Sequence, residues 1–190
     1  MEYLSLTNQN YISVSFNYNK FIILKILENV PVPNLVTACN KNTVAKISMI
    51  LGNKLPIHSI LYFQMQPTVN SIIHIDKNSE DPKPFQATFA LNLPLANSNN
   101  VLMNWYSKNS SDVDTGKFVG PNGSATPSIS KDKVTCIDQI YYTNPHIVKI
   151  NDWHSVENQS TTEVAQLISL RFVAPLDQVI SLFRQSFEML

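Results

Sequence analysis

Three side chains of this sequence have the types and the spacing of a metal site: His74, Asp76 and His154. On a β-strand, residues two apart point to the same face, so the imidazole of His74 and the carboxylate of Asp76 can converge on one point. His154 supplies a second imidazole from far downstream. Two imidazoles and one carboxylate hold Fe(II) while leaving coordination positions open. The spacing therefore predicts a metal site that is accessible to further ligands.

A His-x-Asp pair alone is weak support for such a site, because it also arises by chance and often makes only a surface hydrogen bond. The ALNLPL strand between the two parts of the triad and the Trp-His-Ser-Val-x-Asn segment around His154 favour metal ligation. His58 and His146 are the competing imidazoles. Both stand at predicted strand starts, where we expect ordinary, partly exposed histidines.

Composition limits the protein class. The chain has 190 residues and 44% hydrophobic content, which predicts one domain over residues 1–190. Lysine plus arginine and aspartate plus glutamate are 14 each, and only 15% of residues are charged, so neither nucleic acid nor a membrane is an expected partner. The partner that remains is a small-molecule or peptide substrate.

Cellular location is predicted from cysteine usage and from segments that the sequence lacks. Cys39 and Cys136 do not make a disulfide framework, which favours a reducing interior. The sequence shows neither a signal-peptide pattern nor an apolar run near the ~20 residues of a membrane span. Asparagine and lysine are abundant, and the only arginines are Arg171 and Arg184, which indicates AT-rich coding. We expect a cytoplasmic protein of a bacterium or a phage-infected host.

The order of elements predicts a mostly β protein. Near the start, YISVSFNY and KFIILKIL have β-rich composition, and Asn42 or Thr43 is expected to cap a helix through VAKISMIL that ends at Gly52. A C-terminal helix is predicted within PLDQVISLFRQSFEML. Regularly spaced short strands between these helices are typical of a sandwich, barrel or jelly roll. The stretches with strand composition are HSILYFQMQ, SIIHID, FQATFALNLPL, VLMNWY, VTCIDQIYY, HIVKI and VAQLISLRFVA.

The stretch from about residue 107 to 133 differs from its surroundings. It is rich in Ser, Lys, Asp, Gly and Pro and has almost no apolar anchor. Long segments of this composition are either functional elements, such as active-site lids, or disordered. We expect a mobile insertion into the strand pattern.

Two segments carry a family resemblance. ALNLPLANSNNVLMNWY and, later, NPHIVKINDWHSVENQS resemble the double-stranded β-helix of the Fe(II)- and 2-oxoglutarate-dependent oxygenases. The resemblance is greatest to small phage and bacterial members and to the aspartyl/asparaginyl β-hydroxylase-like group, and it covers roughly residues 56–175. It implies a jelly-roll, cupin-like fold with a few flanking helices. The His-x-Asp pair would end the second core strand, the second histidine would begin the seventh, and a basic residue on the eighth would bind the far carboxylate of 2-oxoglutarate.

The resemblance also implies roles for individual residues. His74, Asp76 and His154 would bind Fe(II), and the reaction would hydroxylate an unidentified substrate, with succinate and carbon dioxide as co-products. Similar proteins commonly place the arginine nearer the second histidine, where this chain has no basic residue. Arg171 is the available cation, and Ser169 shares its strand face. Further candidates for contact with the oxoacid or substrate are Tyr62, which shares a face with Gln64, and Asn92.

Two other classes fit parts of the pattern. A different metal-dependent cupin-type enzyme would keep the metal ligands and would not need Arg171. A non-catalytic jelly roll, such as a binding module or a phage structural protein, would never bring His74 and His154 together.

Overall fold

The strands form the larger part of the fold, in a computed structural model that describes residues 10–14, 18–32, 35–52, 55–76, 89–119, 125–172 and 174–187. The helices are α1 (Lys20–Leu27), α2 (Lys41–Ile50) and α3 (Leu176–Phe187). The strands are β1 (Tyr11–Ser13), β2 (Val36–Ala38), β3 (Ile57–Met65), β4 (Ile73–His74), β5 (Phe89–Ala96), β6 (Val101–Lys108), β7 (Gly116–Val119), β8 (Ala125–Ile129), β9 (Val134–Tyr141), β10 (His146–Lys149), β11 (His154–Asn158) and β12 (Ala165–Phe172).

The strands pair into two antiparallel six-stranded sheets. The first sheet has the order β1-β10-β5-β12-β3-β2, and the second has the order β7-β8-β4-β11-β6-β9. From β3 to β6 and again from β9 to β12 the chain passes from one sheet to the other at every step, so that β3, β5, β10 and β12 face β4, β6, β9 and β11. Between these stretches, β6 to β9 all lie in the second sheet. This alternation, with few helices outside it, confirms the predicted double-stranded β-helix.

Two apolar layers hold the sheets and helices together. The outer face of the first sheet packs against α1 and α2 through a cluster that includes Ile23, Leu27, Ile47 and Leu91. A second cluster lies between the sheets around the fully buried Trp105. Because both faces of the first sheet are covered, β5 reads as a nearly continuous apolar run instead of an alternating one. None of the helices in the described ranges has the length and apolarity needed to cross a membrane.

The segment KFIILKIL, with its β-rich composition, is a helix. The side chain of Asn19 accepts a hydrogen bond from the Ile22 backbone N–H at 3.1 Å, which caps the first turn. Ile23 and Leu27, four residues apart, are buried together against the first sheet. The β-branched composition was therefore misleading, because the cap and the helical spacing of the buried positions decide the structure.

The second helix lies close to its predicted position. Its cap is Asn40, whose side chain accepts from the Thr43 N–H at 2.9 Å, so the predicted caps Asn42 and Thr43 lie inside the helix. Gly52 has a positive φ of 86° just after the helix, as expected of a glycine terminator. Helix α3 occupies the predicted C-terminal segment.

The polar insertion is more regular than its composition predicted. Within it, β7 and β8 form an antiparallel hairpin whose second strand pairs with β4, so the insertion lengthens the second sheet. The backbone of its two strands is hydrogen-bonded, and that the insertion is mobile stays a prediction. The core strands run from Ile57 to Phe172. That residues 1–190 form one domain stays a prediction.

Candidate metal centre

The two histidines of the predicted triad are neighbours across one ladder. His74 ends β4 and His154 begins β11, and the register places them directly opposite each other. Their ring centroids are 4.5 Å apart. Asp76 lies beyond the end of β4, where its backbone N–H donates to the Ile150 carbonyl at 2.9 Å. Strand pairing thus brings together residues that are far apart in sequence.

The three side chains converge on one small space. Nε2 of His74 lies 3.1 Å from Oδ1 of Asp76, and Nε2 of His154 lies 4.0 Å from Oδ2. One ligand atom from each residue lies within 4.8 Å of the other two. A metal ion bound at about 2.0–2.2 Å from such atoms would fit between them.

Backbone carbonyls orient both imidazoles toward this space. Nδ1 of His74 lies 2.9 Å from the Ile72 carbonyl, and Nδ1 of His154 lies 2.8 Å from the Asp152 carbonyl. A carbonyl only accepts, so each Nδ1 carries the proton. In a neutral ring Nε2 then holds a lone pair that a metal can bind, and in a protonated His74 ring Nε2–H donates to Oδ1 of Asp76. Second partners of this kind are usual for metal-binding histidines. The donor set therefore fits a divalent transition metal such as Fe(II).

The charges at the site shift three pKa values. Burial acts to raise the pKa of the Asp76 carboxyl, but Arg171 and then the two histidines outweigh it and hold that pKa well below its usual range. Burial and the neighbouring His74 lower the pKa of His154 to about 4. Burial also acts against protonation of His74, but its hydrogen bond to Asp76 and the charge of that carboxylate raise its pKa.

Three of the predicted cosubstrate residues lie on the inner face of the first sheet. Asn92 on β5 is directly opposite Ser169 on β12, and Arg171 is two residues further along β12. The Arg171 guanidinium donates to Oδ2 of Asp76 at 2.8 Å. Asn92 Oδ1, Ser169 Oγ and Arg171 Nε are buried and have no hydrogen-bond partner among the described residues. Unpaired buried polar atoms are costly, so a cluster of them indicates a site for a polar ligand.

Tyr62 is not part of this group. It is buried on the outer face of the first sheet, in the cluster beneath the helices, and its hydroxyl accepts from the Gln64 side chain at 2.9 Å. Tyr62 and Gln64 share a face, as predicted, but the cavity is lined by Leu61 and Phe63, the residues on either side of Tyr62. Because β3 alternates strictly, the prediction that Tyr62 contacts a pocket ligand selected the wrong face.

Two buried residues near the site were not predicted from the sequence as buried. Tyr142 lies in the turn before β10, where its hydroxyl accepts from Nδ2 of Asn92 at 2.5 Å and donates to Met103 Sδ at 2.8 Å. His146 is buried, not partly exposed, and its ring packs edge-on against Tyr142. Burial lowers the pKa of His146. Only the tyrosine pair in QIYYTNPH marked this turn, and a single sequence does not show which tyrosine points inward.

The triad opens into a cavity of about 510 Å³ between the two sheets. That volume lies within the range of small-ligand sites. The described residues that line it are Leu35, Val36, Leu61, Phe63, Met65, Asn70, Ser71, Ile72, His74, Asp76, Asn92, Met103, Phe118, Val119, Thr126, Tyr142, Ile150, His154, Val156, Leu167, Ser169 and Arg171.

Comparisons with known proteins agree with this architecture at the level of fold. No protein-family model and no curated protein sequence matches the chain. Among solved structures, it is similar to the non-haem, α-ketoglutarate-dependent carbocyclase SnoK from nogalamycin biosynthesis, with a TM-score of 0.50, 11% identity, and coverage of 93% of this chain and 87% of that one. The chain has a double-stranded β-helix fold. A prolyl-4-hydroxylase from Pseudomonas putida also matches, at a TM-score of 0.44, 6% identity and coverage of 90% and 96%.

Proposed function

We propose that this protein is an Fe(II)- and 2-oxoglutarate-dependent dioxygenase that hydroxylates a substrate C–H bond. The observation that carries the proposal is the convergence of His74, Asp76 and His154 at the head of an internal cavity. The same convergence argues against a non-catalytic jelly roll, because that alternative required the two histidines to remain apart. The fold shared with SnoK supports the assignment.

The bound iron and 2-oxoglutarate would supply the oxidising power, with dioxygen consumed and succinate, carbon dioxide and hydroxylated product formed. The chain's own contribution is binding, orientation and exclusion of water. Asp76 supplies the charge that offsets part of the metal's charge, and the Ile72 and Asp152 carbonyls keep both histidines in the ligating tautomer. The open face of the triad leaves room for the cosubstrate and dioxygen.

Arg171, Ser169 and Asn92 would hold the cosubstrate. The guanidinium and the serine hydroxyl are suitable donors for a carboxylate. Asn92 is linked to Tyr142, and an amide can present either its oxygen or its nitrogen to a ligand. A polar molecule in contact with these three side chains would satisfy buried atoms that have no partner within the described residues.

The finer assignments belong to the same proposal. Likeness to the small phage and bacterial members and to the aspartyl/asparaginyl β-hydroxylase-like group is carried only by the two sequence segments. We place the protein in the cytoplasm of a bacterium or a phage-infected host on the basis of its cysteine usage. We expect a small-molecule or peptide substrate and no nucleic-acid partner, because the net charge is zero.

The decisive test is anaerobic addition of 2-oxoglutarate to the Fe(II)-loaded protein. We expect a visible charge-transfer band, because bidentate chelation of iron by the oxoacid produces one, and slow formation of succinate when oxygen is admitted. His154→Ala should abolish both signals, whereas His58→Ala, which changes an exposed histidine outside the site, should keep them. A protein that binds iron and neither binds nor consumes 2-oxoglutarate contradicts the proposal.

A second candidate is a cupin-type metal enzyme that does not use 2-oxoglutarate. The specific observation in its favour is the contact of Arg171 with the metal-ligand carboxylate at 2.8 Å. If Arg171 stays on Asp76, no other cationic side chain among the described lining residues is available for the far carboxylate of an oxoacid. The charge-transfer experiment separates the two candidates directly.

A further inference from the structure

We propose that the substrate reaching this centre is an uncharged, predominantly apolar small molecule, admitted through an apolar mouth formed by Val36, Ile72, Phe118 and Val119. The proposal rests on the proposed function in one respect only, namely that the molecule in the cavity is the one that reacts at the triad. It assigns a role to the polar insertion, whose hairpin provides two of these four residues.

The register of the second sheet places the hairpin on the same side as the triad. Ser128 on β8 lies opposite His74, and Thr126 on the same strand lies opposite Phe118 on β7. Since residues two apart share a face, Thr126 and Phe118 point to the side that carries the metal ligands. The hairpin therefore extends the metal-bearing face outward from β4. Val36 on β2 forms part of the opposite wall.

The mouth is open to solvent and apolar at once. Phe118 and Ile72 are each 38% exposed, and Val119 is 63% exposed. Large apolar side chains that remain exposed beside a concave site usually mark a binding surface. These three all line one cavity, and that cavity is continuous with the triad.

Within the part of the lining that the structure describes, charge is confined to the inner end of the cavity. Among the described lining residues, the charged or imidazole side chains are His74, Asp76, His154 and Arg171, all of them at the metal end. A substrate with its own charge, lying between the triad and the surface, would lose hydration without gaining an ion pair there. An uncharged molecule has no such cost, and burying its apolar surface is favourable.

Two polar side chains near the mouth, those of Ser71 and Asn70, are already engaged in hydrogen bonds. The Ser71 hydroxyl accepts from the Val156 N–H at 2.8 Å and donates to the Ile72 carbonyl at 3.2 Å. The Asn70 side-chain nitrogen donates to Glu157 at 3.2 Å. A peptide entering here would leave main-chain donors and acceptors without partners, which disfavours a peptide relative to an apolar small molecule.

The test uses 1-N-phenylnaphthylamine, an uncharged probe whose fluorescence rises in apolar surroundings. We expect saturable binding of one probe per full-length protein. Phe118→Asp and Val36→Asp, on the two walls of the mouth, should each weaken the affinity at least tenfold. Ile137→Asp is the matched control, since Ile137 is a comparably exposed residue on β9 at the far edge of the same sheet, and it should change the affinity less than twofold.

Each outcome supports or overturns the proposal. Thermal unfolding and Co(II) binding, measured on every variant, show whether the fold and the triad are intact. Affinity that is lost only in the two mouth variants supports an apolar site. No saturable binding, or equal affinity in all variants, overturns it. If the probe binds as expected but neither Co(II) nor 2-oxoglutarate does, the proposed function fails while the apolar site remains, so the two failures are distinguishable.

Discussion

Arg171 donates to Oδ2 of Asp76 at 2.8 Å, so one cation is shared between the metal ligand and the inner wall of the cavity. The guanidinium is carried by β12, and it contacts the triad itself. Its Nε has no hydrogen-bond partner in the described ranges, which leaves a donor available to a ligand. Under the proposed function, a metal held by Asp76 would offset the charge of that carboxylate, and Arg171 would then be free to pair with the carboxylate of the cosubstrate.

Replacement of Arg171 should separate metal binding from cosubstrate binding. For Arg171→Ala we expect 2-oxoglutarate to bind to the metal-loaded protein about 100-fold more weakly, because a charge-assisted pair in a largely buried site is lost. Arg171→Lys should recover part of the affinity, since it keeps the charge and loses the planar fork. Titration of the charge-transfer band with 2-oxoglutarate measures the affinity of each variant.

The matched control for this prediction is Lys149→Ala. Lys149 is a cation on β10, which β5 separates from β12 in the first sheet, and it lies 3.9 Å from Asp152, outside the cavity lining. The Lys149→Ala variant should bind 2-oxoglutarate with an affinity within twofold of the wild type. Equal loss in both variants would indicate a general electrostatic effect, and no loss in Arg171→Ala would favour the cupin-type alternative.

Metal affinity should fall as the pH decreases. The pKa of His74 is raised above its ordinary value of about 6.5, so a proton competes with the metal for this ligand from a higher pH than it would at an ordinary histidine. The apparent affinity for Co(II) should therefore drop by about tenfold for each pH unit below the pKa of His74 and level off above it. His154, with a pKa lowered to about 4, should add a second proton only in more acid solution.

Absorption titrations with Co(II) between pH 6 and pH 8 measure this dependence. His58→Ala should reproduce the wild-type curve, since His58 is exposed and is not among the cavity-lining residues. An affinity that is constant over this range would argue against direct ligation by the two histidines.

Much of the core fold followed from the sequence because its signals are local. Strand composition in SIIHID identified the strand that carries His74, although Asp76 lies just beyond its end. The strand that begins at His154 was not among the stretches with strand composition and followed only from the family resemblance. His74 and His154 could be paired only through the family resemblance. Nothing in a single sequence states that β4 and β11 are neighbours, since that depends on long-range strand pairing.

The incorrect expectations have physical causes of the same kind. Tyr62 was assigned to the wrong face because β3 is covered on both sides and its pattern does not distinguish them. The segment of α1 carries β-branched residues, and burial of Ile23 and Leu27 against the sheet outweighs that preference. The hairpin of the insertion depends on pairing with β4, which local composition does not predict.

The two cysteines should differ in reactivity. Burial raises the pKa of the Cys39 thiol to about 11, whereas Cys136 is exposed on β9. Because the thiolate is the reactive form, iodoacetamide at pH 8 should label Cys136 at least tenfold faster than Cys39. Mass spectrometry of labelled peptides over time measures the ratio, with urea-unfolded protein as the control in which the two rates converge. Faster labelling of Cys39 in the folded protein would contradict its burial.

Asn158 should be one of the most sensitive polar positions for stability. Its side-chain nitrogen donates to the carbonyls of Met65, Gln66 and Glu163 at 2.9, 3.2 and 2.8 Å, and its oxygen accepts from the Ser160 N–H. Asn158→Ala should lower the free energy of unfolding by about 2–4 kcal/mol, since buried backbone groups lose their partners.

Comparison of three variants distinguishes this hydrogen-bonding role from a general effect of shortening an asparagine. Asn158→Asp keeps the shape and the acceptor but directs a negative charge at three carbonyl oxygens, so it should be more destabilising than alanine at pH 7 and recover part of the loss in acid, where a protonated carboxyl can donate once. Asn70→Ala removes one exposed hydrogen bond and should cost less than about 1 kcal/mol. Urea unfolding measured at two pH values gives the change in the free energy of unfolding for each of the three variants. If Asn158→Asp were as stable as the wild type, the side-chain nitrogen could not be the group that ties the turn after β11 to the end of β3.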